Sequence, residues 1–284
     1  MHDISAGPVA GSSRYAFDNA DEQGPRMLGL LAGILDGHST SVLAGPHVRV
    51  GPGWRCLDVG PGAGSITGWL SERVGPDGEV TALDLQPDHV TAGGNVTVTR
   101  GDVRFIDLPK DYYDLIHFRL VLVHLSDPDR VLERVIRALA PGGRLVVSEW
   151  DVLSRQRWLL HATSEQAAAA FDAFQKALAR VLRANGADLG WAARVPIAML
   201  TCGLELVHSV AFSELATGGE PACLLHESNS LQLERQLVGT GLVTADQLTV
   251  LREAMWDPQT LAYSYQMFTT VGRRPDLGCQ RTDR

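Results

Sequence analysis

The sequence is short of the side chains that mark several common classes of protein. Its four cysteines, Cys56, Cys202, Cys223 and Cys279, lie far apart and form no C-x-x-C pair, so neither a zinc site nor a disulfide framework is indicated. No run of lysine and arginine occurs, and the formal net charge is -8. Because phosphate binding requires clustered basic side chains, we expect no nucleic-acid partner.

Long apolar runs are also absent. No uninterrupted stretch of about 18 apolar residues occurs, and the opening MHDISAGPVAGSS does not place a basic region before an apolar one. We therefore expect a cytoplasmic protein with no membrane partner. Hydrophobic residues make up 45% of the chain and charged residues 20%, which is an ordinary globular composition and favours a small-molecule partner.

The most informative stretch is residues 54–68, WRCLDVGPGAGSITG, which predicts a short apolar strand, a glycine-rich turn and a helix. Glycine suits such a turn because it adopts positive φ and lets the backbone approach a ligand closely. A helix N-terminus at the carboxyl edge of a parallel sheet is a site for a nucleotide-type ligand. The residues that carry this prediction are Gly60, Gly62, Gly64 and Ser65, the last as a helix cap.

The spacing of the turn separates it from other nucleotide sites. From Asp58 onward it is D-x-G-x-G-x-G, whereas a dinucleotide fingerprint requires G-x-G-x-x-G and a P-loop requires a lysine. With an acid two residues before the first glycine, the stretch resembles motif I of the class I S-adenosylmethionine (SAM)-dependent methyltransferases. The alternative is a strand-to-helix turn that binds nothing.

Asp84 gives a second indication of a nucleoside ligand. It ends the predicted strand EVTALDL, about 20 residues beyond the glycine turn, where an acid can accept hydrogen bonds from both ribose hydroxyls. The alternative is a solvated acid at a strand end. The next predicted strand, NVTVTRGDV, ends in Asp102, and in the fold of this family that carboxylate and the Val103 N–H lie where adenine requires an acceptor and a donor.

The resemblance extends over residues 15–151. An actinobacterial-type group of these methyltransferases opens with Y-x-x-D-N-A, matched here from Tyr15, and continues through the glycine turn, VLVHL and LAPGGRLVV. It implies a Rossmann-like α/β fold with a seven-stranded, mostly parallel sheet, helices on both faces, N-terminal helices and a helical cap. It also implies SAM as cofactor, S-adenosylhomocysteine (SAH) as product, and cofactor-binding residues Asp58, Gly60, Gly62, Gly64, Ser65, Asp84, Leu85, Asp102, Val103, Phe118 and Arg119.

Some features depart from related groups. Asp58 stands where glutamate is usual, which shortens the reach toward the amino group of the cofactor. No N-P-P-Y or D-P-P-Y follows the fourth predicted strand, which argues against amino-methyltransferases of the DNA or protein-glutamine type. No cluster of metal ligands can be identified, so no metal is expected.

Three residues are candidates for a general base: His124, Glu149 and Tyr15. His124 can face the acceptor, Glu149 ends the fifth predicted strand, and Tyr15 lies on a segment that could form a lid. A structural role is the alternative for His124, since a lone histidine on an apolar stretch is often a satisfied core residue. Methyl transfer can also proceed without a base, because positioning can dominate the reaction.

The chain divides into four predicted parts. Residues 1–50 form an N-terminal helical segment or lid, residues 51–154 the SAM-binding core, residues 155–260 helical cap elements with strand six, and residues 261–284 the last strand and tail. In the first part, Pro25 suits a first helical turn and Gly37 a helix stop. We expect a long helical stretch within residues 155–187 and strand six over Glu205–Phe212. The last strand alternates apolar and polar residues, which predicts a half-buried edge strand, and the family resemblance implies that it pairs antiparallel with strand six.

The leading hypothesis for function is a methyltransferase acting on a small molecule in a capped pocket, as in secondary metabolism, with a homodimer as a possible assembly. A rival keeps the SAM site but uses the cofactor structurally or in a rearrangement or decarboxylation. A third reading, an interaction module without activity, would make three nucleoside-contact positions accidental.

Overall fold

The computed structural model describes residues 23–152 and 158–276. Ten strands form two sheets. In chain order they are β1 (Arg55–Val59), β2 (Glu79–Asp84), β3 (Val96–Arg100), β4 (Tyr113–Arg119), β5 (Leu139–Asp151), β6 (Leu159–His161), β7 (Glu205–Phe212), β8 (Leu215–Thr217), β9 (Leu261–Tyr263) and β10 (Gln266–Arg273).

The main sheet has seven strands in the order β3-β2-β1-β4-β5-β10-β7. Strands β1 to β5 are parallel to one another, and β10 runs antiparallel to both of its neighbours. This confirms the predicted Rossmann-like, mostly parallel sheet. The strand order reverses beside β1, so the carboxyl ends of β1 and β4 border a crevice of the kind in which open α/β sheets bind ligands.

Eight α-helices surround the sheets in the described part of the chain. They are α1 (Gly24–Ala44), α2 (Ser65–Val74), α3 (Pro128–Ala138), α4 (Glu165–Ala184), α5 (Trp191–Thr201), α6 (Pro221–Gln232), α7 (Glu234–Gly239) and α8 (Ala245–Trp256). Short 3₁₀ turns at Pro87–His89 and Leu122–His124 complete the connections after β2 and β4.

The two faces of the main sheet are covered by different helices. On one face, α3 and α5 pack against β4 and β5 through residues such as Val135, Trp191 and Met199. On the other face, α1 and α2 bury Leu43 and Leu70 against β1 and β2. Both layers exclude water from the parallel strands, as a parallel sheet requires.

A third apolar core joins the helices of the cap. It unites α1, α4, α6 and α8, with Ile34, Phe171, Phe174, Leu225 and Leu251 buried among them. Local sequence fixes where two of these helices start. Ser164 accepts a hydrogen bond from Ala167 N at the start of α4, and Thr244 and Gln247 form a capping box at α8. The cap is therefore a packed layer over the carboxyl edge of the main sheet.

Helix α1 continues beyond the glycine at which its pattern predicts a stop. Pro25 lies in its first turn as expected, but the helix runs through Gly37 to Ala44. A glycine inside a helix costs about 1 kcal/mol relative to alanine, and burial of Ser39 and Leu43 in the following turns offsets that cost.

One prediction for the second half of the chain is wrong. Strand β10 is an internal strand, because it inserts between β5 and β7 and leaves β7 at the edge. The long helical stretch predicted within residues 155–187 is confirmed as α4, and Leu159–His161 before it pairs with β9 in a small sheet of order β6-β9-β8. Strand six is confirmed over Glu205–Phe212 as β7, antiparallel to the last strand.

Helix α1 is, in the described ranges, the one helix long and apolar enough to cross a membrane by length and composition. Core helices of soluble proteins pass the same test. Here Met27, Ile34, Leu35 and Leu43 are buried, and α1 packs against α2 and α6.

Candidate active site

A cavity of about 530 Å³ opens at the carboxyl edge of the main sheet. The ends of β1 to β4 form its floor, and Leu28 and Leu31 of α1 form part of its wall. Its volume lies in the range of small-molecule and cofactor sites. The predicted residues that line it are Gly60, Gly62, Ser65, Asp84, Leu85, Asp102, Val103, Arg119 and His124.

The glycine turn adopts the backbone that its sequence predicts. Gly60, Gly62 and Gly64 have φ values of 67°, 58° and 82°, a region that costs other residues about 1–2 kcal/mol. A Cβ atom on Gly60 would lie 2.3 Å from Cγ2 of Val121. Gly60 is therefore required both for the conformation and for the close approach of the β4 loop.

Ser65 does not cap helix α2, contrary to expectation. Gly64 occupies the N-cap position without a side-chain hydrogen bond, and Ser65 is the first helical residue. Its Oγ instead donates to Oδ1 of Asp36 on α1, at 3.1 Å. The N–H groups at the start of α2 therefore have no side-chain cap at the N-cap position, which suits an anionic or polar ligand.

Asp84 ends β2 at the cavity wall. Its Oδ1 accepts a hydrogen bond from the Gln86 N–H at 2.8 Å, which fixes the orientation of the carboxylate. Burial raises the pKa of this carboxyl, against the hydrogen bonds from Gln86 and Leu85. A partly desolvated acceptor at this place can bind two ribose hydroxyls.

Asp102 lines the same cavity from the end of β3 and is held by Arg104. The guanidinium donates to both carboxylate oxygens, with Nη2 at 2.6 Å from Oδ2. Burial raises the pKa of Asp102, but the hydrogen bonds and charge of Arg104 outweigh it and hold the pKa below its ordinary value. The carboxylate is thus an ionised acceptor beside the buried Val103.

Asp58 does not line the cavity. Its Oδ2 accepts from Thr67 Oγ1 at 2.7 Å, and its Oδ1 lies 2.9 Å from Nδ1 of His117. Burial raises the pKa of Asp58, but its hydrogen bond to His117 and the charge of that ring bring the net value below the ordinary one. Through these two contacts Asp58 links β1 to α2 and β4 beneath the glycine turn. Gly64 and the buried Phe118 also lie outside the lining.

Arg119 reaches the cavity from the end of β4 and is paired with an acid that the sequence analysis missed. Its Nη1 lies 2.7 Å from Oδ1 of Asp36, the same oxygen that accepts from Ser65. Asp36 thereby ties α1 to the glycine turn and to β4. A signal was present in the sequence, since Asp36 is an acid within an otherwise apolar helix, but its partners lie 29 and 83 residues away.

A second, smaller cavity of about 80 Å³ lies under the cap. It shares Leu31, Leu120 and His124 with the first cavity, so the two spaces meet at these side chains. Its walls come from α1, α4, α6, β5 and the segment before β10, and no charged residue is among its described lining residues.

His124 stands at the junction of the two cavities, at the end of the 3₁₀ turn Leu122–His124. Burial lowers its pKa to about 4. The imidazole is therefore neutral near pH 7. It lies where the two cavities share a wall.

Glu149 lies behind this turn and does not line either cavity. Its Oε1 accepts from the backbone N–H groups of Val121, Leu122 and Val123 at 3.2, 2.7 and 3.4 Å. Burial raises its pKa to about 8, against those three hydrogen bonds. The geometry makes Glu149 a support for the turn that carries His124. Tyr15 lies outside the described residues.

No group of three or more His, Cys, Asp or Glu residues that could hold a metal occurs in residues 23–152 and 158–276. The cysteines in this part of the chain, Cys56, Cys202 and Cys223, are free. Burial raises the pKa of each thiol, so none is activated as a nucleophile.

Comparison with known proteins identifies relatives of the core. Residues 18–189 match the family described as "Methyltransferase domain". Over 110 residues, the chain is 34% identical to the ubiquinone/menaquinone biosynthesis C-methyltransferase UbiE of Vibrio parahaemolyticus, covering 35% of this chain and 42% of that protein. The Teredinibacter turnerae UbiE is 32% identical over 36% of this chain and 45% of its own length. The match therefore spans less than half of these relatives.

Among solved structures, phosphoethanolamine N-methyltransferase 2 of Haemonchus contortus, in complex with SAM, has the same fold. Its TM-score is 0.52, with 15% sequence identity over 90% of this chain and 58% of that chain. At this identity the likeness shows the fold alone.

The residues of the larger cavity fit SAM. The glycine turn leaves room that a Cβ on Gly60 would fill, the start of α2 has no side-chain cap at its N-cap position, and Asp84 and Asp102 place acceptors at two successive strand ends. The family match covers more than half of the chain. The chain belongs to the class I SAM-dependent methyltransferases.

Proposed function

We propose that this enzyme transfers the methyl group of SAM to a small, largely apolar molecule held in the cavity under the cap. The observation that carries the proposal is that the cavity at the sheet edge, which charged residues help to line, and the apolar cavity under the cap meet at Leu31, Leu120 and His124. Two spaces of different polarity that share one wall suit a charged cofactor and an apolar acceptor.

When bound, SAM supplies a strongly electrophilic methyl group. The protein then has to place the acceptor in line with it and keep water out. The apolar side chains of α4, α6 and β5 exclude water from the smaller cavity, and the Asp36–Arg119 pair holds α1 over the larger one.

His124 can take up a proton where the acceptor requires its removal. Its neutral imidazole lies between the two cavities, which is the position a base needs. The role proposed for Glu149 is to hold the turn of His124 through three backbone hydrogen bonds. Tyr15 stays a prediction.

The relatives support a ring-shaped acceptor. Their name assigns them to C-methylation in ubiquinone and menaquinone biosynthesis. The described walls of the cap cavity include Trp150 and Tyr265, and flat aromatic side chains pack well against a flat ring. A role in secondary metabolism, the homodimer and the cytoplasmic location also stay predictions.

The test is an assay for SAH formation with isotopically labelled SAM and a panel of phenols, naphthols and hydroquinones. Methylated product in equal amount to SAH, identified by mass and by NMR, supports the proposal and tells whether carbon or oxygen is methylated. Conversion of an acceptor without SAH release would instead support the rival reading, in which SAM is bound but the methyl group is not transferred.

A further inference from the structure

The cap cavity has an apolar wall that carries two unpartnered polar atoms. Asn229 of α6 lines it and is only 4% exposed, and its Oδ1 has no hydrogen-bond partner among the described residues. Trp150, at the end of β5, lines it too, and its buried Nε1 likewise has no partner there. Leaving a buried polar group unpaired is unfavourable, so a ligand that pairs with both atoms regains that free energy.

Another polar group on the wall, the hydroxyl of Tyr265, already has a hydrogen-bond partner within the protein. Tyr265 lies between the two tryptophans Trp150 and Trp158, each with a ring centroid 5.1 Å from its own. Its hydroxyl donates to Oε1 of Gln175 at 2.7 Å, and Nε2 of Gln175 lies 3.3 Å from Nδ1 of His226. The Tyr265 hydroxyl is therefore committed to this chain and is not the free anchor for a ligand.

Among the described residues, no charged side chain lines the cavity. Burial lowers the pKa of His124 to about 4 and that of the neighbouring His226 to about 3, so both rings are neutral near pH 7. Glu227, next along α6, is paired with Arg26 of α1 at 2.6 Å. An ionised acceptor would lose its hydration here without gaining a counter-ion from the described residues of the protein, which is costly.

We propose that the acceptor is a neutral aromatic molecule with a hydroxyl group that donates to Oδ1 of Asn229 and accepts from Nε1 of Trp150. A hydroxyl both donates and accepts, so its chemistry matches both the oxygen of Asn229 and the N–H of Trp150. This inference rests on the proposed function and makes Asn229 and Trp150 the residues that select the acceptor.

The test uses two probes of equal size, 4-methylphenol and 1,4-dimethylbenzene, which differ by a hydroxyl in place of a methyl group. Each is titrated in sealed tubes into SAH-saturated protein and followed by ligand-observed NMR. The quantity measured is the ratio of the two dissociation constants. It is compared between the wild type, Asn229→Leu and Trp150→Phe.

We expect each substitution to shift the ratio by roughly tenfold toward 1,4-dimethylbenzene, because the hydroxyl then loses one of its two partners. Trp150→Phe keeps an aromatic ring on the wall and provides a second route if Asn229→Leu fails to fold. Ser228→Ala is the matched control. Ser228 is also fully buried on α6 with an unpartnered Oγ, but it does not line the cavity, so the ratio should stay at the wild-type value.

A ratio that stays within about twofold of wild type in both Asn229→Leu and Trp150→Phe overturns the inference, and so does failure of both probes to bind the wild type. SAH affinity is measured first on every protein. If the ratio of dissociation constants shifts as expected in the variants but SAH does not bind, the proposed function is overturned and the result for Asn229 stands. The two failures are therefore distinguishable.

Discussion

The two cavities differ in how their polar groups are paired. At the sheet edge two charged side chains are neutralised within the protein, Asp102 by Arg104 and Arg119 by Asp36. A third, Asp84, is held by the Gln86 N–H. Under the cap no charged side chain lines the space, and polar atoms of Asn229 and Trp150 have no partner in the described chain. The first cavity has its polar groups oriented before a ligand arrives, whereas the second depends on the ligand to complete them.

The difference between the cavities indicates that one binds the cofactor and the other selects the acceptor. A cofactor site with fixed acceptors at strand ends can serve many reactions, since the methyl donor is the same in each. A cap that leaves two polar atoms unpaired discriminates among acceptors, because a molecule lacking the matching group pays for their desolvation. Changes at the sheet edge should therefore alter cofactor affinity, and changes in the cap should alter the choice of acceptor.

The largest expected effect is a loss of turnover when His124, which lies where the two cavities meet, is replaced. With an acceptor found by the SAH assay that must lose a proton, His124→Phe should lower kcat by about 10²–10⁴-fold, the usual contribution of a general base. SAH affinity should change little, since an aromatic ring is kept at this position. Near-normal kcat in a folded variant would return His124 to a structural role.

The second-largest expected effect concerns the glycine turn, and a matched pair of variants tests it. Gly60→Ala and Gly53→Ala both place alanine at positive φ, 67° and 78°, which costs about 1–2 kcal/mol of stability at each. At Gly60 the new Cβ also meets Val121 at 2.3 Å, whereas nothing lies within 4 Å at Gly53. The clash should cost about 1–3 kcal/mol more and weaken SAH binding. Equal thermal stability and equal SAH affinity of the two variants would contradict this account.

A smaller loss should follow from removing either strand-end acid. Asp84→Ala and Asp102→Ala should each weaken SAM binding by about 1–3 kcal/mol, the cost of a lost buried hydrogen-bond partner, as measured by calorimetry. Asp107→Ala is the control, because this acid lies in the loop after Asp102 but is exposed and does not line the cavity. Unchanged affinity in both test variants would mean that the nucleoside lies elsewhere.

Glu149 gives the smallest predicted effect, in the pH dependence of stability. Its pKa in the folded protein is about 8, above the ordinary value of 4.5. Above pH 4.5 the unfolded chain loses the proton while the folded protein keeps it, so stability is lost as pH rises toward 8. From about pH 6.5 to pH 8 this loss amounts to roughly 1–2 kcal/mol.

Glu149→Gln keeps an oxygen for the three backbone N–H groups and cannot ionise. The fall in thermal stability between pH 6.5 and 8 should therefore be less steep in the variant than in the wild type. Histidines titrate in both proteins, and subtraction of the two curves removes their contribution. Parallel curves would show that Glu149 does not hold a proton in the folded protein.

The parts of the fold that local sequence determines could be predicted. The glycine turn and the acid at the end of β2 depend on neighbours a few residues away, and the resemblance that they carry implied the seven-stranded sheet. The predicted cofactor residues Asp58, Gly64 and Phe118 do not line the cavity, because motif spacing does not report which side chains point toward it. The edge position assigned to the last strand was wrong because alternation reports burial of one face and does not report which strands lie on either side.

The cap could not be predicted in the same way. Its cavity brings Leu31, Trp150, Leu178, Asn229 and Tyr265 together, and these residues come from five separate segments of the chain. Asn229 lies in a helix of mixed composition, where a polar residue is expected to face solvent. Only the packing of α6 against α1 and α8 shows that it faces inward.

The most direct measurement is a calorimetric titration of SAH into the wild type, Asp84→Ala and Asn229→Leu under one set of conditions. We predict one-to-one binding to the wild type, a weaker affinity in Asp84→Ala and wild-type affinity in Asn229→Leu. Equal losses in both variants, or no binding to folded wild-type protein, would contradict the claim that the sheet edge holds the cofactor and the cap selects the acceptor.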